Sequence, residues 1–297
     1  MKVNTMMWII TALLSAVFSG ASSLLAKKGV KKTDPLAETT ILTAVILLLS
    51  WLAAFLTGEL SSLPQILSLN RLSLIFMGLS GAATSLCWIY YYKALSIGAV
   101  HNVMAIEKSN IAVTILIAIF FFQETDYLWE KLLGVVILCL GLYFLIQKGK
   151  SLQASESKTF YRWAFLSAAF AALNTVFSKM ALSGLPSNLG TAINMLVALV
   201  VTILWVFMNR RQAAFHNLPK NELPYIIAAG VANSACWLCY YHAVKYGILS
   251  VVIPLNKMSI PFTALWSYLV YKENIPGKKA LGLTLITAGM IDIAIWI

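Results

Sequence analysis

The chain has 297 residues, of which 60% are hydrophobic and 11% charged, with a mean hydropathy of +0.82 and a formal net charge of +11. A soluble domain carries roughly 45 to 50% apolar and about 25% charged residues, so a water-soluble fold is excluded and an integral membrane protein is expected. The basic excess then reads as a topology signal at the ends of spans, and no nucleic-acid partner is expected.

Crossing a hydrocarbon core of about 30 Å takes roughly 20 apolar residues in a helix. Five such spans are read in the first half, at Met6–Ala26, Leu36–Thr57, Leu72–Leu95, Ala99–Phe122 and Leu132–Ile146. Five follow in the second, at Tyr161–Leu182, Leu189–Met208, Leu223–Val244, Ile248–Tyr271 and Ala280–Ile297. Runs of this length without alternation do not suit barrel strands, and backbone groups in lipid must be satisfied internally. The expected fold class is therefore an all-α, multi-pass integral membrane protein with ten transmembrane helices, placed in the cell membrane and, by preference, the cytoplasmic membrane of a prokaryote. The first span resembles a signal peptide, with Lys2 ahead of an apolar run that ends in small residues. Its counterpart lies in mid-chain, so it is read as structural.

Two halves of the chain repeat each other. Ser85–Ala94 reads SLCWIYYYKA, and 149 positions later Ser234–Ala243 reads SACWLCYYHA. At the same offset Gly98 pairs with Gly247, Lys108 with Lys257, Thr114 with Thr263 and Glu124 with Glu273; an earlier stretch, Ser15–Lys27, matches Ser167–Lys179. Self-similarity of this kind identifies a duplicated unit. The expected organisation is a first five-helix repeat at residues 1–147, a polar linker at 148–160 and a second repeat at 161–297. Because five is odd, tandem copies cross the membrane in opposite senses, giving inverted repeats of the sort from which transporters are built. Lysines and arginines crowd the odd-numbered loops, for example Lys27, Lys28, Lys31, Lys32, Lys148, Lys150, Arg210, Arg211 and Lys272. The positive-inside rule then places both termini outside.

Ionisable side chains at bilayer depth cost roughly +2.5 to +3.5 kcal/mol at a helix centre on insertion scales and are functional candidates by default. Lys108 and Lys257 occupy the same repeat position about ten residues into the fourth and ninth spans, near the midplane. Glu107 adjoins Lys108, whereas Asn256 stands beside Lys257. Two inverted lysines facing one cavity, with a single glutamate, would bind a carboxylate or phosphate, and Glu107 would orient Lys108 or take a proton from a coupled gradient. Lys179 is a third buried lysine, for which a structural ion pair is the stronger reading, and Lys93 lies near a helix end, where snorkelling accounts for it. Trp88 with Tyr91 and Tyr92, and Trp237 with Tyr240 and Tyr241, form matching aromatic helix faces. They would line a pocket for an amphipathic solute or, alternatively, form an interfacial belt. Pro254 and Pro261 flank Lys257 and would loosen the ninth helix. The first repeat has Ala105 and Ala112 there, so only one half is expected to bend. Gly134 with Gly141, and Gly282 with Gly289, put small residues on one face of the fifth and tenth helices, for close packing that extends to a homodimer contact. The four cysteines lie in apolar segments and imply no disulfide framework. Cys236, Cys239 and His242 spread over too much of a helix surface to make a metal site, and no cofactor, metal or enzymatic motif is expected.

These features resemble the ten-helix EamA-type members of the drug/metabolite transporter superfamily over nearly the whole chain. The duplicated small-Cys-Trp-aromatic phrase, the segments Glu107–Glu124 and Asn256–Glu273, and the glutamate followed by a glycine-containing last helix carry the likeness. The resemblance implies a central cavity lined by helices 1, 3, 4, 6, 8 and 9, with 5 and 10 peripheral, and substrates drawn from amino acids, other metabolites, nucleotide sugars and drugs. Small multidrug-resistance relatives use a carboxylate in the first helix, which Met6–Ala26 lacks. The expected function is a secondary transporter, in the exporting direction, of a small zwitterionic or anionic metabolite such as an amino acid, working by alternating access. The alternatives are multidrug or organic-cation efflux and flipping of a lipid-linked intermediate.

Overall fold

The structure, a computed structural model, describes residues 2–29, 33–95, 103, 106–107, 109–145, 159–212, 215, 218–271 and 277–295. Regular structure among them is helical. In chain order the elements are α1 (Lys2–Gly29), α2 (Pro35–Leu56), a 3-10 turn (Glu59–Ser62), α3 (Leu63–Leu69), α4 (Arg71–Leu95), α5 (Asn110–Phe121) and α6 (Leu128–Leu145). The second half holds α7 (Thr159–Leu182), α8 (Ser187–Met208), α9 (Leu223–Tyr246), α10 (Leu249–Lys257), α11 (Ser259–Tyr271) and α12 (Gly277–Ile295). Stretches of α1, α2, α4, α7, α8 and α9 are long and apolar enough to cross a membrane, and α5 and Ala280–Ile295 are shorter apolar helices. Side chains such as Leu48 (69% exposed) and Phe120 (77%) point outward, as lipid-facing residues do and as a soluble surface would not tolerate in this number.

Local chemistry sets the helix ends. Asp34 accepts a hydrogen bond from the Leu36 amide at 2.8 Å, with Pro35 in the first turn of α2, a pairing that satisfies one orphan donor and needs none from the proline. At the other end Gly58, at φ 71°, terminates the helix in the left-handed region that costs glycine nothing. Glu59 reaches across to α8, where its carboxylate accepts from the Leu189 amide at 2.8 Å and from Asn188 Nδ2 at 3.1 Å. Within the helices, hydroxyls of Thr39, Thr43, Ser50 and Thr202 donate back to the carbonyl four residues earlier, which satisfies these polar side chains in an apolar phase.

Two helix pairings dominate the packing, α4 against α7 and α1 against α9, followed by α6 against α12. The first two are reciprocal across the halves, since each joins the first span of one half to the third span of the other. Polar bonds stitch them at matching places: Ser22 Oγ donates to Ala229 O at 2.9 Å, and Ser80 Oγ to Asn174 O at 3.1 Å. The glycine faces meet within one copy of the chain. A Cβ on Gly289 would lie 2.7 Å from Gly134 O, and one on Gly141 would lie 2.6 Å from Ile286 N. The close helix packing read from these glycine faces is that of α6 against α12 inside the protomer.

The fourth and ninth spans are not continuous helices. In the ninth, α10 stops at Lys257 and α11 starts at Ser259, with Met258 as the turn. Pro261 cannot donate to the Lys257 carbonyl and its ring crowds it, which breaks the ladder there. The fourth span is interrupted at the equivalent position, contrary to the expectation that only one half bends: Ile106 and Glu107 are helical, Ser109 is a turn residue and α5 begins at Asn110. No proline stands at this break; the Ser109 hydroxyl and amide both donate to Ile106 O, at 2.6 and 3.2 Å. Ser109 and Met258 are 149 positions apart, the repeat offset. Lys31, Lys32, Lys148, Lys150 and Lys272, on which the orientation reading leaned, fall outside the described residues, as does most of the linker; Thr159 and Phe160, assigned to it, open α7.

Candidate functional site

A cavity of about 250 Å³ lies between the two halves. Its walls come from α1 (Ser19), α4 (Thr84, Cys87, Trp88), the Glu107 segment with α5 (Asn110, Thr114), α7 (Ala171, Asn174, Thr175), α9 (Asn233, Cys236, Trp237, Tyr240) and α10 (Ile253, Asn256, Lys257). Counted as spans, these are 1, 3, 4, 6, 8 and 9, with α6 and α12 outside. The two helix breaks reach the cavity, because Glu107 and Asn110 flank Ser109 and Lys257 precedes Met258. Irregular backbone at bilayer depth survives where it lines a polar cavity.

Of the residues singled out from the sequence, Glu107, Trp88, Trp237, Tyr240, Asn256 and Lys257 all line this cavity. Lys108 lies outside the described residues. Asn256 is held by α1, its Nδ2 donating to Ser15 Oγ at 2.8 Å. Trp237 packs edge-on to Tyr240 and Tyr241, with ring centroids 5.9 and 5.5 Å away. Tyr241 is fully buried behind the wall.

Two of those residues belong elsewhere. Tyr91 packs with Ile106 and Trp163 against the small cluster of Ala94, Val103, Phe160 and Ala164. Lys179 faces the end of α9, where its Nζ donates to Val244 O at 2.7 Å and to Gly247 O at 2.6 Å. Those are orphan C-terminal carbonyls, which a cation satisfies well. Lys93, read as snorkelling, sits 3.6 Å over the Trp163 ring.

Sequence reading missed the asparagines. Asn110, Asn174 and Asn233 line the cavity beside Asn256. A buried network fixes one of them: Ser80 Oγ donates to Asn174 Oδ1 at 2.6 Å and accepts from Asn194 Nδ2 at 2.8 Å. With Oδ1 engaged, Asn174 has its amide N–H groups left for the cavity. A signal was available, since an amide in an apolar span is rare enough to be noticed, but nothing in the sequence said which way each one points.

A helical bundle built from apolar spans, with polar groups of both charge signs converging on one central cavity, is the build of a membrane transporter rather than an enzyme. The EamA-like transporter family matches the chain twice, over residues 6–147 and 159–295, and the chain belongs to that family. It is a multi-pass integral membrane transporter. A protein from Sinorhizobium sp. described as "Uncharacterized transporter in cobO 3'region" is 33% identical over 140 residues, covering 47% of this chain and 99% of that relative, which is thus about half as long. A solved structure described as "Crystal structure of protein" superposes with a TM-score of 0.78 at 13% identity, covering 98% of this chain and 97% of the other. At that identity the likeness concerns the fold alone.

Proposed function

We propose that this transporter carries a small zwitterionic metabolite of the amino-acid type, with an anionic one as the nearest relative, across the membrane by alternating access. The observation that carries the reading is the presence, among the described residues, of a carboxylate, Glu107, and an ammonium, Lys257, in one cavity with four amides and two tryptophans. Lys257 and the N–H groups of Asn174 serve a substrate carboxylate, Glu107 serves a substrate ammonium, and Trp88 and Trp237 bound the side-chain space. The volume favours a small solute, since clefts for drug-sized ligands run roughly 300 to 1,000 Å³. Export is the preferred direction, and a proton carried on Glu107 is the preferred coupling.

The chain crosses the bilayer ten times in this reading, as inverted repeats at residues 1–147 and 161–297 joined by the linker at 148–160. The reciprocal pairings α1–α9 and α4–α7 support it, as do the helix breaks one repeat offset apart. Rocking of the repeats about the broken helices would expose the cavity to each face in turn.

The test is a thermal-shift screen of purified protein against amino acids, organic anions and quaternary cations, run beside Lys257→Ala and Glu107→Gln. An amino acid at 100 times its Kd adds about 2.7 kcal/mol of stability, and both variants should lose that gain. Stabilisation by a quaternary cation that survives in Lys257→Ala would overturn the assignment in favour of cation efflux.

A further inference from the structure

Outside the cavity, a set of charged contacts among the described residues closes on the turn between α9 and α10. Glu124, in the connection from α5 to α6, accepts from the Leu249 amide at 2.8 Å with Oε1 and from the Ser250 amide at 2.7 Å with Oε2. From the other side Lys179 of α7 donates to Val244 O and Gly247 O at 2.7 and 2.6 Å. One acid thus covers the orphan donors that open α10, and one lysine covers the orphan acceptors that close α9. Lys131 of α6, only 1% exposed, in turn donates to Glu124 O at 3.3 Å. None of these side chains touches the cavity, and the carboxylate comes from the opposite half of the chain to the turn it grips.

What the turn controls is visible in α10. This helix has nine residues, roughly 13.5 Å at 1.5 Å per residue, and holds Pro254 inside it. Its first turn is in the grip of Glu124, and its last carries Asn256 and Lys257 into the cavity. Met258 is the turn that joins it to α11. Around the gripped end Tyr241, Val244, Leu249 and Val252 are fully buried, and Gly247 admits Trp8 of α1 so closely that a Cβ there would meet its ring at 2.6 Å. None of these residues lines the cavity; packed side chains fill the space around the turn that Glu124 and Lys179 hold.

We propose that Glu124 and Lys179 are positioning residues for transport: they hold α10 as a lever that keeps the cavity shut toward the face bearing the α9–α10 turn, and they release it when that face opens. This rests on the cavity being the transport site. Charge-assisted bonds are about twice as strong as neutral ones, so the grip is firm, yet it engages backbone groups at one turn and can be released without unfolding either helix. The repeat counterparts in the sequence, Glu273 and Lys27, put the same two charges in the other half.

The test uses the full chain with Cys236, which lines the cavity, as the only cysteine (Cys87→Ser, Cys139→Ser, Cys239→Ser). A small membrane-impermeant thiol reagent is added separately to each face of sealed vesicles, without solute. Glu124→Gln and Lys179→Met should each raise the labelling rate of Cys236 from the α9–α10 face about tenfold, a shift of roughly 1.4 kcal/mol in the open-closed equilibrium, and Lys179→Arg should restore the parent rate. Unchanged labelling, or labelling raised equally from both faces by a merely loosened fold, overturns the proposal. Hydrogen exchange on the unsubstituted protein gives an independent reading should a variant not fold. The Leu249 and Ser250 amides should exchange at least tenfold faster than those in the middle of α9, because they open in the cycle; protection equal to the α9 interior overturns the lever. Protection of Cys236 by added amino acids tests the site separately: if it fails while the variants still shift the labelling, the substrate reading falls and the lever stands.

Discussion

Adding a single methyl group at Gly289 should separate two helices that the fold needs in contact. The Cβ of Gly289→Ala would lie 2.7 Å from Gly134 O, 2.9 Å from Leu138 N and 3.3 Å from Leu138 Cα. All three are backbone atoms, so no side chain can rotate away and α6 and α12 must move apart by about half an ångström. A gap of 0.5 to 1 Å forfeits a quarter to a half of each dispersion contact across it, and overpacking of this kind costs about 1 to 3 kcal/mol. Gly78→Ala is the matched control. It is also a helical glycine, but its Cβ would meet nothing within 4 Å, so it should be neutral or gain up to about 1 kcal/mol from helix propensity. Thermal unfolding of detergent-solubilised protein should show Gly289→Ala several degrees lower and Gly78→Ala level or higher. Equal melting temperatures for the two would refute the reasoning, and with it the use of the glycine faces inside the protomer.

Three further outcomes follow from specific contacts. Ser80→Ala removes the hydroxyl that Asn174 and Asn194 share and should cost about 1 to 3 kcal/mol by leaving buried amide groups unpaired, measured as a drop in melting temperature. The same variant frees Asn174 to turn, so amino-acid binding measured by thermal shift should weaken as well. Asp34→Ala takes away the N-cap of α2 and should destabilise by about 0.5 to 2 kcal/mol, with Asp34→Asn retaining most of the stability; equal loss in both would locate the effect in the Arg211–Asp34 ion pair at 3.7 Å instead. Trp237→Ala enlarges the cavity beside Tyr240, and in a proteoliposome uptake assay it should shift preference toward bulkier amino acids, whereas Tyr91→Ala, away from the cavity, should leave selectivity unchanged.

Hydropathy and the internal repeat carried the sequence reading far. They yielded the membrane class, the order of the spans, the family likeness and, through the depth of Lys257 and Glu107, two residues of the cavity. Those quantities are set along the chain, by how many apolar residues follow one another and where a charge interrupts them, and they survive without knowledge of any neighbour. What they lack is azimuth. A soluble helix announces its buried face through an apolar stripe, but these spans are apolar on both the lipid side and the packed side, so Tyr91 carried no mark to tell it from Trp88, and Lys179 was set apart from Lys257 only by the stronger reading as a structural ion pair. Only the packing of α4 against α7 and of α7 against the end of α9 turned Tyr91 and Lys179 away from the cavity. The same holds for Asn110, Asn174 and Asn233, whose amides became cavity walls when helices from both halves converged. The break at Ser109 has no proline and no local mark, since Ser15 and Ser50 return their hydroxyls to their own helices in the same way without interrupting them; only the folded chain shows it.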